Sequence, residues 1–476
     1  MKKIIFYIFI MVQVLITGLF MSILVDVLPN RYLTYIGLFL LVLIIVPAIG
    51  MLRINNKIVK IIASVISISL SISILFGYYY LNKSVQALMT ITDESYETVP
   101  VSLVVLNDSE LKEIQDTDQK PIGISEAIQV EDQELLKAEI SKRANPQYTN
   151  YASVQELMDN LYNKNIQGML INEGFRNMFE VLDPDFSNKT RVIYSYNIKK
   201  EITNETDDTF VITEDAFNIF VSGIDTRNHD MSASNSDVNM IITINPLTKK
   251  ILLTSIPRDY YVNLHTFKSK DKLTHTGSYG INESILTLQD LLKINIPYYI
   301  RVNFDSTIQI IDTLGGVDIY SDTTLDRGTL VIHEGMNHMN GEMALSYARE
   351  RYAYEGGDRH RVENQQDIVR AVIDKLISPA VITNYSSLLD VIVPAVQTNI
   401  SYSDILALIS MQLNDMSAWD IQTQSLTGYD DTSIECYSLP GTELYVMVPD
   451  FNSIETCKNK INACMQKPQT QTNGEE

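Results

Sequence analysis

The stretch DVNMIITINPLTKKILLTSIPR, residues 237–258, determines the architecture of the larger part of this chain. Two apolar runs, Val238–Ile244 and Ile251–Ile256, flank Asn245–Lys249, whose Asn-Pro-Leu-Thr-Lys composition is typical of a turn. We therefore predict two antiparallel strands joined by a short connection. Their register places Asp237 opposite Arg258 at one end of the sheet.

The residues around this hairpin predict an α/β domain over 210–465, followed by a flexible polar tail at 466–476. Because strands alternate with amphipathic helices, we expect a central sheet covered by helices on both faces. The predicted strands and helices are, in order, Phe217–Val221, Glu283–Lys293 (helix), Tyr298–Phe304, Ser306–Leu314 (helix, stopped by Gly315 and Gly316), Val317–Tyr320, Glu342–Arg349 (helix) and Asp358–Ile377 (helix).

A smaller α/β accessory domain is predicted at residues 98–206. Val101–Leu106, Gln167–Ile171 and Arg191–Ile198 are typical of strands, and Ser153–Tyr162 of a helix. This part has no concentration of reactive side chains, which favours a structural or docking role. Polar linkers are predicted on either side of it, at residues 84–97 and 203–209.

The first 83 residues have the composition of a membrane domain. Ile4–Val25, Leu33–Leu52 and Ile61–Leu81 lack charged residues, and each is long enough to cross a hydrocarbon core of about 30 Å. Lysines at the N-terminus and three basic residues between the second and third spans favour a cytoplasmic N-terminus. We therefore predict a multi-pass cell-membrane protein whose large C-terminal part is extracellular.

Charge is divided unevenly between these parts. The whole chain has a net charge of −21, and its first 83 residues hold seven basic residues and one acid. The part predicted to be extracellular is thus strongly acidic. Because nucleic-acid backbones are bound mainly by lysine and arginine, this charge excludes nucleic acid as a partner.

The three cysteines all lie near the C-terminus. Cys457 and Cys464 are too far apart on one predicted helix to form a disulfide with each other. Two alternatives stay open: Cys436 forms a bridge with one of them, or all three are free thiols.

Two groups of residues indicate chemistry on a polyanion. If the strand before Asp225 ends beside Asp237 and Arg258, two carboxylates and an arginine converge, a set suited to a divalent cation and phosphate. The alternative is that Asp237 and Arg258 form a plain cross-strand ion pair. The second group is the run of arginines 349, 351, 359 and 361, which is unusual in so acidic a background. It fits phosphate binding, or alternatively a solvated charged segment paired with nearby acids.

Sequence signatures of other catalytic classes are missing. The chain has no GxSxG elbow, no Walker A loop and no HExxH motif. An active site built from these residues would act through cations on a phosphate, which is how phosphoryl transfer is usually catalysed.

Seven motifs closely resemble those of the LytR–CpsA–Psr family of cell-envelope glycopolymer phosphotransferases. They are, in family order, Gly223–Arg227 (GIDTR), Ser236–Met240 (SDVNM), Ile256–Asp259 (IPRD), Lys272–His275 (KLTH), Leu314–Asp318 (LGGVD), Gly341–Arg351 (GEMALSYARER) and Gly357–Gln366 (GDRHRVENQQ). Three membrane spans followed by an intervening domain resemble the capsule-locus branch of this family in streptococci.

This resemblance implies a mixed central sheet between helices, with a hydrophobic cavity that holds a polyprenyl chain. It also implies transfer of a glycosyl phosphate, such as capsular polysaccharide, from a polyprenyl-pyrophosphate carrier to a peptidoglycan sugar hydroxyl. The implied partners are this carrier, peptidoglycan, the lipid bilayer and other capsule-assembly membrane proteins.

Site residues follow from the same resemblance. The implied ligands of Mg²⁺, or alternatively Mn²⁺, are Asp225 and Asp237. The implied contacts of the pyrophosphate are Arg258, Arg349, Arg351, Arg361, Gln365, Lys272 and Arg227. Of these, Arg258, Arg349 and Arg351 are also implied to act in catalysis. Asp259 is a candidate for orienting the attacking hydroxyl, with a structural role as the alternative.

One position departs from the family pattern. The family commonly has an arginine two residues before the second metal-binding aspartate, and this chain has Asn235. Asparagine can donate a hydrogen bond to phosphate but carries no charge.

Three other functions remain open at the level of sequence: a hydrolase of polyprenyl pyrophosphate, a membrane regulator of capsule biosynthesis, and a non-catalytic lipid or glycan carrier.

Overall fold

The chain forms two compact units in a computed structural model. The structure describes residues 2–92, 96–126, 128–202, 209–224, 234–326, 330–350, 358–378, 387–388, 390–393 and 395–467. The first unit comprises Met1–Asp93, Asn384–Val393 and Ile400–Ala418, and the second unit comprises the rest of the chain.

Three long apolar helices build most of the first unit: α1 (Lys2–Val27), α2 (Asn30–Leu52) and α3 (Lys57–Thr92). Each contains a segment long and apolar enough to cross a membrane, which confirms the three predicted spans at the level of length and composition. The predicted linker at residues 84–97 is wrong, because α3 continues to Thr92 and the next strand begins at Tyr96. Residues 84–92 contain no glycine or proline that would end the helix.

One glutamine links these three helices. The Gln13 side chain on α1 donates a hydrogen bond to the Leu43 carbonyl on α2 at 3.0 Å, and it accepts one from the Ser67 hydroxyl on α3 at 2.6 Å. Gln13 and Ser67 are both buried. Because a buried amide in apolar surroundings must find partners, this pair of bonds fixes how the helices pack.

A fourth helix, Tyr402–Asp415, belongs to the same unit although it lies far away in sequence. Its first turn is capped by the Ser401 hydroxyl, which accepts from the Asp404 amide at 3.1 Å. Near its other end, the Leu413 carbonyl accepts hydrogen bonds from Tyr32 at 3.0 Å and Arg31 at 3.2 Å. Arginine at a helix C-terminus satisfies an unpaired carbonyl and complements the helix dipole.

The second unit begins with a mixed five-stranded sheet. Its elements are β1 (Tyr96–Leu106), β2 (Pro121–Ser125), α4 (Val130–Ile140), β3 (Gln147–Tyr151), α5 (Val154–Tyr162), β4 (Gly168–Asn172), α6 (Arg176–Leu182), α7 (Phe186–Lys189) and β5 (Thr190–Glu201). The strand order is β3-β2-β4-β1-β5, with β1 antiparallel to both neighbours. The three strands and one helix predicted here are confirmed, whereas β2, β3, α4, α6 and α7 were not predicted. The domain boundary near residues 203–208 stays a prediction, because those residues lie outside the described chain.

The larger sheet has six strands and contains the predicted hairpin. Its strands are β6 (Phe217–Ile224), β7 (Ser236–Asn245), β8 (Lys250–Ile256), β11 (Tyr298–Asn303), β16 (Val396–Thr398) and β17 (Asp420–Ser425), in the order β16-β11-β6-β7-β8-β17. Asn245 pairs with Lys250 and Asn239 with Ile256, which confirms the predicted register. The sheet is mixed, because β11 and β6 are parallel while β6, β7 and β8 are antiparallel.

The remaining described elements surround this sheet. They are β9 (Tyr261–Asn263), β10 (Lys270–Lys272), α8 (Leu273–Tyr279), α9 (Ile281–Leu292), α10 (Phe304–Thr313), β12 (Val317–Ser321), β13 (Leu325–Asp326), β14 (Val331–Ile332), β15 (Gly335–Met339), α11 (Gly341–Arg349), α12 (Asp358–Leu376), α13 (the helix Tyr402–Asp415 of the first unit), β18 (Gly428–Cys436), β19 (Leu439–Pro449) and α14 (Phe451–Met465). The predicted helices and strands between residues 283 and 377 are confirmed with small shifts at their ends.

A buried ion pair joins the two sheets of the second unit. Glu97 on β1 lies 2.7 Å from the guanidinium of Arg301 on β11, and both side chains are at most 1% exposed. The Glu97 carboxylate also accepts a hydrogen bond from the Ile281 amide at 2.6 Å. Gly280 makes this approach possible, because its φ of +122° suits glycine and any Cβ there would collide with the Glu97 carboxylate.

All three cysteines are free thiols, so the predicted alternative of a Cys436 disulfide is wrong. Their surroundings explain why. Cys436 is buried near Asp271, whereas Cys457 and Cys464 on α14 face the carbonyls of Ser425 and Thr243. Burial and the nearby Asp271 carboxylate raise the pKa of the Cys436 thiol to about 12, so it stays protonated at neutral pH.

Replacing Glu97 with glutamine should destabilise the second unit. The substitution keeps the side-chain shape but leaves the buried Arg301 charge uncompensated, and we expect a loss of about 3–5 kcal/mol in the free energy of unfolding. Chemical denaturation of the detergent-solubilised chain, followed by near-ultraviolet circular dichroism, measures this loss. Glu110→Gln, at an exposed carboxylate, is the matched control and should change stability by less than about 0.5 kcal/mol. Equal midpoints for the two variants would contradict the assigned importance of the pair.

Candidate active site

The end of the β7–β8 hairpin brings an aspartate and an arginine together. Arg258 donates a hydrogen bond from Nη1 to Asp237 Oδ1 at 2.7 Å, and both side chains are 29% exposed. The hairpin register therefore delivers the predicted juxtaposition. Partial exposure leaves both groups open to a ligand, and partial burial strengthens their electrostatic interactions relative to those in water.

Asp259 and Lys272 extend this pair into a row of alternating charges. Asp259 Oδ2 lies 3.4 Å from Arg258 Nε, and Asp259 Oδ1 lies 2.9 Å from Lys272 Nζ. The Asp259 and Lys272 side chains are only 11% and 14% exposed. Because both oxygens of Asp259 face cations, its geometry suits holding Arg258 and Lys272 in place better than accepting a proton. We call these four residues, Asp237, Arg258, Asp259 and Lys272, the charge row.

A buried network fixes the backbone of Lys272. Asp271 Oδ1 accepts from the Lys272 amide at 2.7 Å and contacts His275 Nδ1 at 2.6 Å, while Oδ2 accepts from the Ser438 amide at 2.9 Å. Burial opposes ionisation of Asp271, but His275 and these hydrogen bonds outweigh it, so the pKa of Asp271 is lowered. The spacing of these residues in the sequence does not predict this network. The presence of His275 in the Lys272–His275 motif was the available signal.

Helix α8 packs on the start of β7 and involves Asn235. A Cβ at Gly277 would collide with the Ser234 carbonyl, so glycine allows this close approach. The Ser278 hydroxyl lies 2.7 Å from Asn235 Oδ1 and 2.9 Å from the Gly174 carbonyl. Asn235 thus occupies the position of the family's usual arginine and directs its carbonyl oxygen to α8 through Ser278.

Ser278 also contacts residues at the end of a strand of the five-stranded sheet. Asn172, at the end of β4, donates to the Ser278 carbonyl at 2.8 Å, beside the Gly174 contact. Residues of the first sheet therefore hold α8, and α8 holds the strand that carries Asp237.

Helices α11 and α12 present the second group of predicted residues. Asn364 on α12 donates to the Tyr347 carbonyl at 2.9 Å, and the Tyr347 hydroxyl donates to Asp367 at 3.2 Å. These bonds fix the last turn of α11, which ends at the exposed Arg349. Asn364 is a positioning residue that was not predicted from the sequence, although it lies within the Gly357–Gln366 motif.

Further along α12, the helix docks on the six-stranded sheet. Gln366 donates to the Gln424 carbonyl on β17, and the Gln424 side chain donates to Thr254 on β8 at 2.9 Å. Arg361 is 5% exposed and Gln365 is partly exposed on the adjacent turn. The helix is thus anchored to the strand that leads directly into Arg258.

Several predicted site residues lie outside the described chain: Asp225, Arg227 and Arg351, together with the side chain of Arg359. The structure does test the condition set for Asp225. Its preceding residue, Ile224, pairs with Ser236, the residue before Asp237. The strand before Asp225 is therefore a neighbour of β7 and ends at the same edge of the sheet.

The chemistry of this edge fits a hard divalent cation. Within the described residues there is no group of three or more Asp, Glu, His or Cys side chains that could form a complete metal cage. Mg²⁺, however, is usually held by one or two carboxylates together with substrate phosphates. Asp237 supplies one carboxylate and Asp225 is the candidate for the other, so the Mg²⁺ site stays a prediction compatible with the donor set.

The arrangement defines a class of site: fixed arginine and lysine side chains beside a carboxylate at the edge of a mixed sheet, suited to an anionic ligand. Comparison with known sequences identifies the family to which the protein belongs. A profile of the LytR_cpsA_psr family matches residues 186–459, more than half of the chain. The chain belongs to this family.

Characterised relatives carry two kinds of name. The chain is 31% identical over 231 residues to the polyisoprenyl-teichoic acid–peptidoglycan teichoic acid transferase TagT of Bacillus subtilis, an alignment of 46% of this chain and 69% of the relative. It is 30% identical to the corresponding transferase TagU of Bacillus licheniformis, over 44% of this chain and 64% of that protein. It is also 29% identical to biofilm regulatory protein A of Streptococcus mutans, over 40% of this chain and 52% of that protein. The chain thus spans between about half and two thirds of the length of these relatives.

Among solved structures, TagV of Bacillus subtilis is similar to this chain. The two are 29% identical with a TM-score of 0.45, over 54% of this chain and 99% of TagV.

The contact between Asn235 and Ser278 should be detectable as an energetic coupling. Asn235→Ala and Ser278→Ala should each lower the free energy of unfolding by about 1–2 kcal/mol, because each leaves a polar partner without its hydrogen bond. The double variant should lose less than the sum, with a coupling of about 0.5 kcal/mol or more. Thermal and chemical unfolding of the four proteins measures it.

Ser433 provides the control for this cycle. It lies on β18, is exposed, and bonds only locally with Asp431 among the contacts described. Asn235→Ala combined with Ser433→Ala should be additive. Additivity in both cycles would show that Asn235 does not hold α8.

Proposed function

We propose that this protein transfers a glycosyl phosphate from a polyprenyl-pyrophosphate carrier to a sugar hydroxyl of peptidoglycan, attaching an anionic glycopolymer such as capsular polysaccharide to the cell wall. Membership of the LytR_cpsA_psr family and the names of TagT and TagU support glycopolymer transfer. The single observation that carries the chemistry is the charge row, which fixes Arg258 and Lys272 at a partly exposed edge of the sheet.

The charge row suits a pyrophosphate because its cations are already oriented. Asp237 and Asp259 hold Arg258 from two directions, so its guanidinium loses little freedom when a phosphate binds. Lys272 adds a second cation, whose position is fixed by Asp259 and by the backbone bond to Asp271. Preorganised cations lower the energy of a transition state in which negative charge shifts onto the leaving phosphate.

The reaction follows as an in-line displacement. A sugar hydroxyl of the acceptor attacks the phosphorus next to the glycan and forms a new P–O bond, while its proton passes to solvent. The bond from that phosphorus to the bridging oxygen breaks, and polyprenyl phosphate leaves with the electron pair. Arg258 and Lys272 stabilise the charge on the oxygens of both phosphates.

Other predicted residues have parts in this proposal. Asp237 and Asp225 would hold Mg²⁺, which would neutralise pyrophosphate charge. Arg349, Arg351, Arg361 and Gln365 would contact the phosphates from the α11–α12 side. The bonds of Asn364 and Asp367 to Tyr347 would keep these helices in position.

The proposed location agrees with this reaction. Three helices long and apolar enough to cross a membrane precede the second unit, and the distribution of basic residues favours an extracellular position for that unit. Peptidoglycan and the carrier's exported glycan are both found on that side of the membrane.

Removal of the Asp237 carboxylate tests the proposal. Asp237→Asn and Arg258→Lys should each reduce transfer at least about 100-fold, because the first frees Arg258 from its fixed orientation and the second removes the planar fork. The assay uses the full chain in detergent, a polyprenyl-pyrophosphate oligosaccharide, peptidoglycan and Mg²⁺, and it measures glycan bound covalently to peptidoglycan. Asp290→Asn is the matched control, since Asp290 is another carboxylate in contact with a basic side chain, His265, and the substitution should leave transfer unchanged. Near-normal transfer by Asp237→Asn would contradict the assignment.

The same assay separates transfer from hydrolysis. A hydrolase would release polyprenyl phosphate at the same rate with and without peptidoglycan, and no glycan would become attached. Release that depends on peptidoglycan, with matching covalent attachment, supports the transferase.

A regulatory function is favoured by one observation, the name of the Streptococcus mutans relative. It requires a cytoplasmic location for a substantial part of the chain. We expect a reporter enzyme fused after residue 476 to be active only when the reporter functions outside the cell, with a fusion after Arg53 as the cytoplasmic control. Cytoplasmic activity of the C-terminal fusion would exclude transfer to peptidoglycan and favour regulation.

A further inference from the structure

The β18–β19 hairpin lies directly beside the charge row. The Met447 amide on β19 donates to the Asp259 carbonyl at 2.8 Å, and Met447 forms a parallel bridge with Tyr260. The Tyr260 hydroxyl donates to the Thr427 carbonyl, at the base of the hairpin, at 3.0 Å. Because Tyr260 and Met447 are also buried in one core, the hairpin is fixed against the segment that carries Arg258 and Asp259.

Tyr445 is the aromatic residue of this hairpin that faces the charge row. It precedes Met447 by two residues, and Lys272 Nζ lies over one face of its ring, 5.9 Å from the ring centroid. Its hydroxyl donates to Asp430 Oδ1 on β18 at 3.0 Å, which fixes the orientation of the ring. The residue is nevertheless 36% exposed, so part of its surface is open to solvent next to the proposed phosphate site.

A fixed aromatic ring beside a carboxylate and an ammonium group is suited to a sugar. A pyranose ring has an apolar C–H face that packs on an aromatic ring, and hydroxyls around its rim that bond to charged groups. A purely apolar ligand would desolvate Asp430 and Lys272 without compensation. A second phosphate at this position would be repelled by Asp430. Of these three ligand classes, the sugar matches the groups present.

We propose that Tyr445, oriented by Asp430, forms a sugar subsite in which the ring face opposite Lys272 packs against a pyranose ring adjacent to the reacting phosphate. This inference rests on the proposed function and adds a substrate contact to it. The ring could belong to the glycan of the carrier or to the peptidoglycan acceptor, because both would place a pyranose beside the phosphate. Neither Tyr445 nor Asp430 lies in the seven family motifs, so the subsite extends the site beyond them.

Sugar binding can be measured separately from transfer. The full chain in detergent is titrated calorimetrically with two lipid-free probes: a phosphate-free peptidoglycan oligosaccharide, which represents the acceptor, and a hexose 1-phosphate, which represents the donor. Tyr445→Ala should raise the Kd of at least one probe about tenfold, and the affected probe identifies the source of the ring. Tyr445→Phe keeps the ring and should stay within about threefold of the original protein.

A second tyrosine of the hairpin supplies the control. Tyr429 is 66% exposed and lies opposite Val448, and Tyr429→Ala should leave both dissociation constants unchanged. Unfolding midpoints of all variants show whether the hairpin is intact. The proposal is overturned if neither probe binds the original protein, if Tyr445→Ala binds both probes normally, or if Tyr445→Phe loses as much affinity as Tyr445→Ala.

Asp237→Asn distinguishes this inference from the proposed function. It should abolish transfer while retaining Tyr445-dependent sugar binding. If the original protein binds a probe through Tyr445 but transfers nothing to peptidoglycan, the proposed function fails and the sugar subsite stands.

Discussion

The ion pair between Glu97 and Arg301 is the constraint on which the second unit depends. Two charges buried this deeply are stable only together, so β1 of the first sheet and β11 of the second must stay in one relative position. Strand β11 pairs with β6, and β6 pairs with β7, so this constraint continues to the edge that carries Asp237. The bond between Ser278 and Asn235 provides a second, shorter route to the same edge. The five-stranded sheet is therefore part of the framework of the candidate site.

Local sequence patterns were sufficient for much of the fold and for part of the site. The alternation of apolar residues and the turn at 246–249 define the hairpin register, and that register alone brings Asp237 to Arg258. Long uncharged segments identify the three apolar helices in the same way, because each such segment has the length that crossing a membrane requires. In both cases the structure follows from a local feature of the sequence: a short turn between alternating apolar residues, or the length of an uncharged segment.

Contacts between residues that are far apart in the sequence could not be predicted from such local patterns. Ser278 and Asn235 are separated by more than forty positions, and nothing in either segment indicates that they meet. The edge strand Gln147–Tyr151 is polar and largely exposed, so it lacks the apolar alternation that marks a strand. The disulfide alternative was wrong because the spacing of the cysteines does not indicate which residues surround each thiol in the folded protein. Tyr445 was likewise inconspicuous among 26 tyrosines until its position beside Lys272 was known.

The position of helix α13 in the sequence limits how the second unit can be produced as a separate fragment. It is encoded between β16 and β17, two strands of the six-stranded sheet, yet it packs with the apolar helices of the first unit. A soluble fragment that begins after residue 93 would therefore retain α13 without its natural packing partners. Such a fragment would expose Ile405, Leu406 and Ile409 to water and would tend to self-associate. Segments of the two units alternate along the chain, so no single cut in the sequence separates the apolar helices from the six-stranded sheet.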